Sequence, residues 1–131
     1  MESRQETATA RRALVAVVDD DESVRESLPD LLKEFGFEAR AFSSAQEFLA
    51  SDCVNRTGCL ILDIAMPGMT GFDLQRELQL RARKIPIVFI TAQADGALRA
   101  RAFEGGAVSF LLKPFSDTAL LASVEAALRT R

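Results

Sequence analysis

Strict alternation of short apolar runs with helix-periodic stretches constrains this chain more than any other feature. The apolar runs occupy residues 13–18, 37–42, 59–62, 87–90 and 107–112. Neighbouring parallel strands can be joined only by a crossover of a dozen or more residues, so this strand–helix alternation predicts one parallel sheet with helices packed on both faces. The intervening stretches predict five helices, at about 23–35, a short one after 44, 71–83, 95–104 and from 116 onward. Leu28, Leu31, Leu32 and Phe35 give the first its buried stripe, Phe72, Leu74, Leu78 and Leu80 the third, and Leu120, Leu121, Val124 and Leu128 the last. Ser44-Ala45-Gln46-Glu47 reads as a capping box that opens the second. The fourth helix is rich in alanine and poor in large apolar side chains, so it is expected to be weakly anchored.

A chain of 131 residues with 48% hydrophobic content is long enough for one domain with a single core. Residues 1–11 are expected to form a flexible tail and residues 12–131 the domain. A net charge of -3 with interspersed signs argues against direct nucleic-acid binding, which calls for a basic patch. Histidine is absent and the two cysteines, Cys53 and Cys59, match no zinc spacing, which excludes the common Cys/His metal sites. Both cysteines are expected to be inert packing or surface residues of a reduced, cytoplasmic protein. The polar start lacks an apolar signal region, and no stretch approaches the ~18 apolar residues of a membrane span.

Chemistry-bearing residues gather where the predicted strands end. Asp19, Asp20 and Asp21 follow the first strand, Asp63 the third, Thr91 the fourth and Lys113 the fifth. In open α/β sheets ligands bind at this carboxyl edge, where loops and helix N-termini converge. Alone, the run Asp19 to Glu22 could be an acidic first turn favoured by the helix dipole. Carboxylates brought together from two strands repel one another unless a cation offsets them, and a hard, oxygen-preferring ion such as Mg²⁺ suits them. A lysine and a hydroxyl beside them suit a phosphoryl group, and an aspartate can serve as its acceptor.

Four motifs in this order resemble the receiver domain of bacterial two-component response regulators: Val17-Val18-Asp19-Asp20-Asp21, Leu62-Asp63-Ile64-Ala65-Met66-Pro67-Gly68-Met69-Thr70-Gly71, Ile90-Thr91-Ala92 and Leu112-Lys113-Pro114-Phe115. The resemblance runs from about Leu14 to Leu128. It implies a flavodoxin-like, doubly wound sheet of five strands in the order 2-1-3-4-5, often with a cis peptide before the equivalent of Pro114. It further implies that Asp63 is the phosphoacceptor, and that Asp20, Asp63 and the Ala65 carbonyl bind Mg²⁺, with Asp19 assisting through water. Lys113 would contact the phosphoryl group, Thr91 would be the switch hydroxyl and Phe110 the aromatic whose rotamer follows it.

Local choices refine these expectations. Ala65 offers no polar group to an attacking water, whereas Gln93 carries an amide, so dephosphorylation is expected to be moderate to slow. With no histidine of its own, the chain receives phosphate from a sensor histidine kinase, a phosphotransfer protein or a small phosphodonor. Its signal is expected to leave through helix four, strand five and helix five, toward a downstream protein target, a detached output domain or a second copy. The chain could be a stand-alone receiver or part of a longer regulator. A phosphohydrolase is disfavoured because Ala65 stands where its second aspartate belongs, and a flavin carrier because acids follow the first strand. The remaining alternative is a binding module of the same fold that signals without phosphorylation.

Overall fold

The structure is a computed structural model that describes residues 13–130. The expected tail at 1–11 lies outside the described residues. In chain order the elements are β1 (Leu14–Val18), α1 (Glu22–Glu34), β2 (Glu38–Phe42), α2 (Ala45–Ala50), a 3₁₀ turn (Asp52–Asn55), β3 (Thr57–Asp63), α3 (Gly71–Leu80), β4 (Ile87–Thr91), α4 (Gly96–Glu104), β5 (Ser109–Leu112) and α5 (Asp117–Arg129). All strand pairs are parallel, and the sheet order is β2-β1-β3-β4-β5. This is the expected doubly wound α/β fold.

The sheet's pleat sorts its side chains into two cores. Leu14, Ala16 and Val18 of β1, with Leu60, Leu62 and Phe89, pack against Phe48, Leu74 and Ala102 from α2, α3 and α4. Val15, Val17, Ile61, Val88 and Ile90 face the other way, onto Leu28 and Leu32 of α1 and Leu120 and Val124 of α5. Every residue of β1, β3 and β4 is buried, as strands covered on both faces require. Cys53 belongs to the first core and Cys59 to the second, so the sheet separates the two free thiols. Burial pushes the Cys59 thiol up to about 12, which keeps it unreactive at neutral pH.

Several local expectations are corrected. β3 runs back through Gly58 to Thr57, because Thr57 is still paired with Leu14 of the neighbouring strand. α3 stops at Leu80, and Ala82 follows in a left-handed conformation with φ 57°, so Leu80 turns outward and is 73% exposed rather than part of the buried stripe. Phe35 lies just past the end of α1, 52% exposed. The Ser44 hydroxyl does accept from Glu47 N at 3.0 Å, but the Glu47 carboxylate reaches one residue further back, to Ser43 N at 3.0 Å. The reciprocal capping box occurs instead at α3, between Thr70 and Asp73. β5 begins at Ser109, two residues late, because Ala107 N is still used to close α4 by donating to Ala102 O. Within α4 only Ala102 is buried, as its sequence implies.

Candidate functional site

Backbone hydrogen bonds carry the strands past their ends and so fix the loops that hold the polar residues. Asp19 N donates to Phe42 O, Ile64 N to Ile90 O, and Lys113 N to Thr91 O at 2.8 Å. Behind Asp63 the chain turns through Met66-Pro67-Gly68, with Gly68 at φ 75°, and is tied back by a 2.9 Å bond from Gly71 N to Ile64 O. Gly71 serves close approach rather than unusual dihedrals: a Cβ there would lie 2.5 Å from Asp63 O and 3.0 Å from Ile64 Cα.

Asp19, Asp20 and Asp63 each place a carboxylate oxygen within 4.8 Å of the others. Asp19 is fully buried and Asp63 is 6% exposed, whereas Asp20 faces solvent. Lys113 Nζ donates to Asp19 Oδ2 at 2.8 Å and stands 3.6 Å from Asp63 Oδ1. Asp21 is the N-cap of α1, accepting from Ser23 N at 2.9 Å and Ser23 Oγ at 2.8 Å. Within the acidic run Asp21 thus caps α1 and Glu22 lies in its first turn, where the helix dipole favours negative charge. The Lys113–Pro114 peptide is cis.

Burial, with the charges of Asp19 and Asp20 beside it, raises the Asp63 carboxyl to about 6 despite the opposing pull of Lys113. Burial works against the charge on Lys113, but its hydrogen bond to Asp19 and the charge of Asp63 outweigh this and raise its pKa. When ionised, three carboxylates and one ammonium leave an excess of negative charge in a half-enclosed space. The donors are all oxygens, with no imidazole or thiolate among them, so the set fits a hard divalent cation such as Mg²⁺.

Thr91 is buried at the end of β4, and its hydroxyl oxygen accepts from Gln93 N at 3.1 Å. Phe110 lies beside Phe89 in the ladder and packs inward, within the core that contains Phe72 and Ala102. Arg99 of α4 covers its ring at 6.0 Å and that of Phe103 at 5.0 Å. Ala65 and Gln93 are both exposed on the loops around the cluster. The sequence reading missed a pair of glutamines on α3: Gln75 Nε2 donates to Ala102 O at 3.3 Å and Gln79 Nε2 to Gly105 O at 2.8 Å, holding the C-terminal end of α4.

Residues 15–125 match the family model of the response regulator receiver domain. This chain belongs to that family. It is 47% identical over 121 residues to nodulation protein W of Bradyrhizobium diazoefficiens, which covers 92% of this chain and 53% of that protein. The response regulator protein TodT of Pseudomonas putida is 42% identical over 121 residues, 91% of this chain and 52% of its own. Among solved structures, the response regulator StyR superposes with a TM-score of 0.83 at 48% identity, over 89% of this chain and 59% of that one. FixJ-N gives 0.82 at 38% identity, over 90% and 94%. The chain spans about half the length of the curated relatives it matches. Receiver domains of response regulators are signalling domains that work with histidine kinases and output domains, and they bind Mg²⁺ at an acidic pocket. No helix among the described residues is long and apolar enough to cross a membrane.

Proposed function

We propose that this receiver domain accepts a phosphoryl group on Asp63 from a phosphohistidine of a sensor histidine kinase or phosphotransfer protein. The observation that carries this reading is the convergence of Asp19, Asp20 and Asp63 with Lys113 set between the two buried carboxylates. An Asp63 carboxylate oxygen attacks phosphorus; the new O–P bond forms as the P–N bond breaks, and the bonding pair returns to the imidazole nitrogen. Asp19, Asp20, Asp63 and the Ala65 carbonyl are the groups that would hold Mg²⁺, Asp19 in part through water. Bound there, the ion offsets negative charge on the carboxylate and the phosphoryl oxygens.

Lys113 supplies the second positive charge, and its Nζ, already near Asp63, is placed to follow the developing charge onto a phosphoryl oxygen. The Thr91 oxygen is occupied as an acceptor by Gln93 N, so its proton remains available for donation to that phosphoryl group. A Thr91 drawn toward Asp63 pulls on the β4–α4 loop through this bond. Phe110 already packs inward beside Phe89, so a Thr91 movement would act on the α4–β5–α5 face by changing how firmly that inward position is held. A loosely packed α4 has a small energy gap between positions, which suits a switch. That face would engage a downstream protein target, an output domain or a second copy of the chain, and the domain would act in the cytoplasm. Residues 12–131 constitute this receiver unit, without direct contact to nucleic acid.

Ala65 withholds a water-positioning group while Gln93 retains one, so the phosphorylated form is expected to persist. Loss of phosphate within a few seconds would contradict this. Radiolabel transfer from a phosphorylated histidine kinase in Mg²⁺ buffer, comparing the wild type with Asp63→Asn, tests the main reading. Label on the wild type and none on the variant is expected. No label on the wild type from several competent donors would overturn it in favour of a phosphorylation-independent binding module.

A further inference from the structure

A second concave site lies at the opposite end of the sheet from Asp63. There the C-terminal half of α3, the segment leading into β4, the Gly105-Gly106 turn after α4 and Thr130 just past α5 line an open recess of about 620 Å³. Recesses of roughly 300–1,000 Å³ with an apolar lining and few polar groups are the usual form of small-molecule sites. Leu78, Ile85, Pro86, Ile87 and Val108 supply apolar lining. Among the described residues Arg83 and Lys84 are the charged ones of the lining, and no carboxylate of those residues contributes to it. Neither cation forms an ion pair among the described residues, although the chain as a whole carries a net charge of -3.

The recess also has a mechanical connection. Gln79, whose amide donates to Gly105 O at 2.8 Å, and Gly105 itself are part of its lining. Gln75, also in the lining, donates to Ala102 O, and a Cβ on Gly105 would lie 2.5 Å from its Oε1. An occupant therefore touches the ties that hold the C-terminal end of α4, the helix with only Ala102 buried.

We propose that this recess is an effector site for a small amphipathic anion, with an apolar ring body on the Leu78–Val108 floor and a carboxylate or sulfonate at Arg83 and Lys84. Occupation adds contacts to the Gln79–Gly105 tie and so holds α4 more firmly at that end, independently of the chemistry at Asp63. Charge complementarity favours the anion, because only an anionic head gains charge-assisted hydrogen bonds from these two exposed side chains.

The test uses ¹⁵N-labelled protein titrated with 1-naphthoate, with neutral 1-naphthalenemethanol as the control. Saturable shifts are expected at the amides of Arg83, Lys84, Gly105 and Gly106, with the control at least about tenfold weaker, as loss of charge-assisted contacts implies. The double variant Arg83→Gln/Lys84→Gln, its fold checked by its own spectrum, should weaken naphthoate to the level of the control. Asp63→Asn should bind naphthoate as the wild type does, so that failure here is distinct from failure of the phosphoacceptor reading. Hydrogen exchange at Gly105, Gly106 and Ala107 should slow when naphthoate is bound. Absence of saturable shifts at these amides, equal affinity for the neutral control, or undiminished binding by the double variant would overturn the proposal.

Discussion

Lys113 Nζ lies 2.8 Å from Asp19 Oδ2, an ion pair that joins the end of β5 to the end of β1 over the ends of β3 and β4. Asp19 is fully buried, so this lysine answers a charge that water does not reach. The same ammonium stands 3.6 Å from Asp63 Oδ1, and the proposed function gives it a part in the chemistry there. Replacing it with alanine should leave the fold measurable by circular dichroism. Phosphorylation of Asp63 by a small acyl phosphate should slow by about 100-fold, the usual scale for removing one preorganised charge-stabilising donor. A rate within twofold of wild type would remove Lys113 from the mechanism.

The raised carboxyl of Asp63 has a consequence for stability in the absence of Mg²⁺. Its folded pKa of about 6 exceeds the ordinary 3.8, so the folded state binds the proton more tightly than the unfolded chain does. The resulting stability is complete below pH 4 and is lost as the pH rises through 6. A rise from 3.8 to about 6 corresponds to at most about 3 kcal/mol. Asp63→Asn, which cannot ionise, should therefore be more stable than the wild type at pH 7.5 by about 1–3 kcal/mol, and the advantage should shrink below pH 5. Urea denaturation of both proteins in chelator at the two pH values measures this; equal midpoints at pH 7.5 would contradict it. Added Mg²⁺ should narrow the gap by stabilising the wild type.

Gly71 carries the turn behind Asp63. In Gly71→Ala the new methyl would meet Asp63 O and Ile64 Cα, both backbone atoms that cannot swing aside. Overpacking of this kind costs about 1–3 kcal/mol. A Tm lower by several degrees and slower phosphorylation should appear together. An unchanged Tm would mean that the loop yields freely.

Thr91→Ala separates chemistry from signalling. A hydrogen bond to a charged group is worth about 1.5–3 kcal/mol, so label incorporation at Asp63 should fall by about 10- to 100-fold without being abolished. Under the proposed mechanism hydrogen exchange in α4 should nonetheless stop responding to a beryllofluoride and Mg²⁺ mimic of the phosphorylated state, because the variant loses the bond that Gln93 N donates to Thr91 Oγ1 at the entrance to that helix. A response equal to wild type would assign the coupling elsewhere.

Most of the fold was legible because each level of the sequence points the same way. Continuous apolar runs mark strands buried on both faces, and one face of α1, α3 and α5 repeats at helical spacing. The acids, Thr91 and Lys113 were legible as a group because parallel strands deliver all their ends to one edge. What escaped depends on partners far along the chain. Gln75 and Gln79 read as the polar face of an amphipathic helix, yet their acceptors, Ala102 and Gly105, lie 27 and 26 residues away. Leu80 fits the apolar period, but the helix ends there and the stripe has nothing left to cover. The Thr70–Asp73 box was overlooked because aspartate takes the place of the usual Glu or Gln.

Locating the phosphoryl group within the chain tests the central claim most directly. Protein incubated with Mg²⁺ and a phosphorylated histidine kinase is reduced with borohydride, which converts an aspartyl phosphate to a homoserine, and the digest is mapped by mass spectrometry. The conversion should fall on Asp63 alone, and it should vanish when Mg²⁺ is chelated. Conversion at another aspartate with Asp63 unmodified, or equal modification in chelator, would contradict the account.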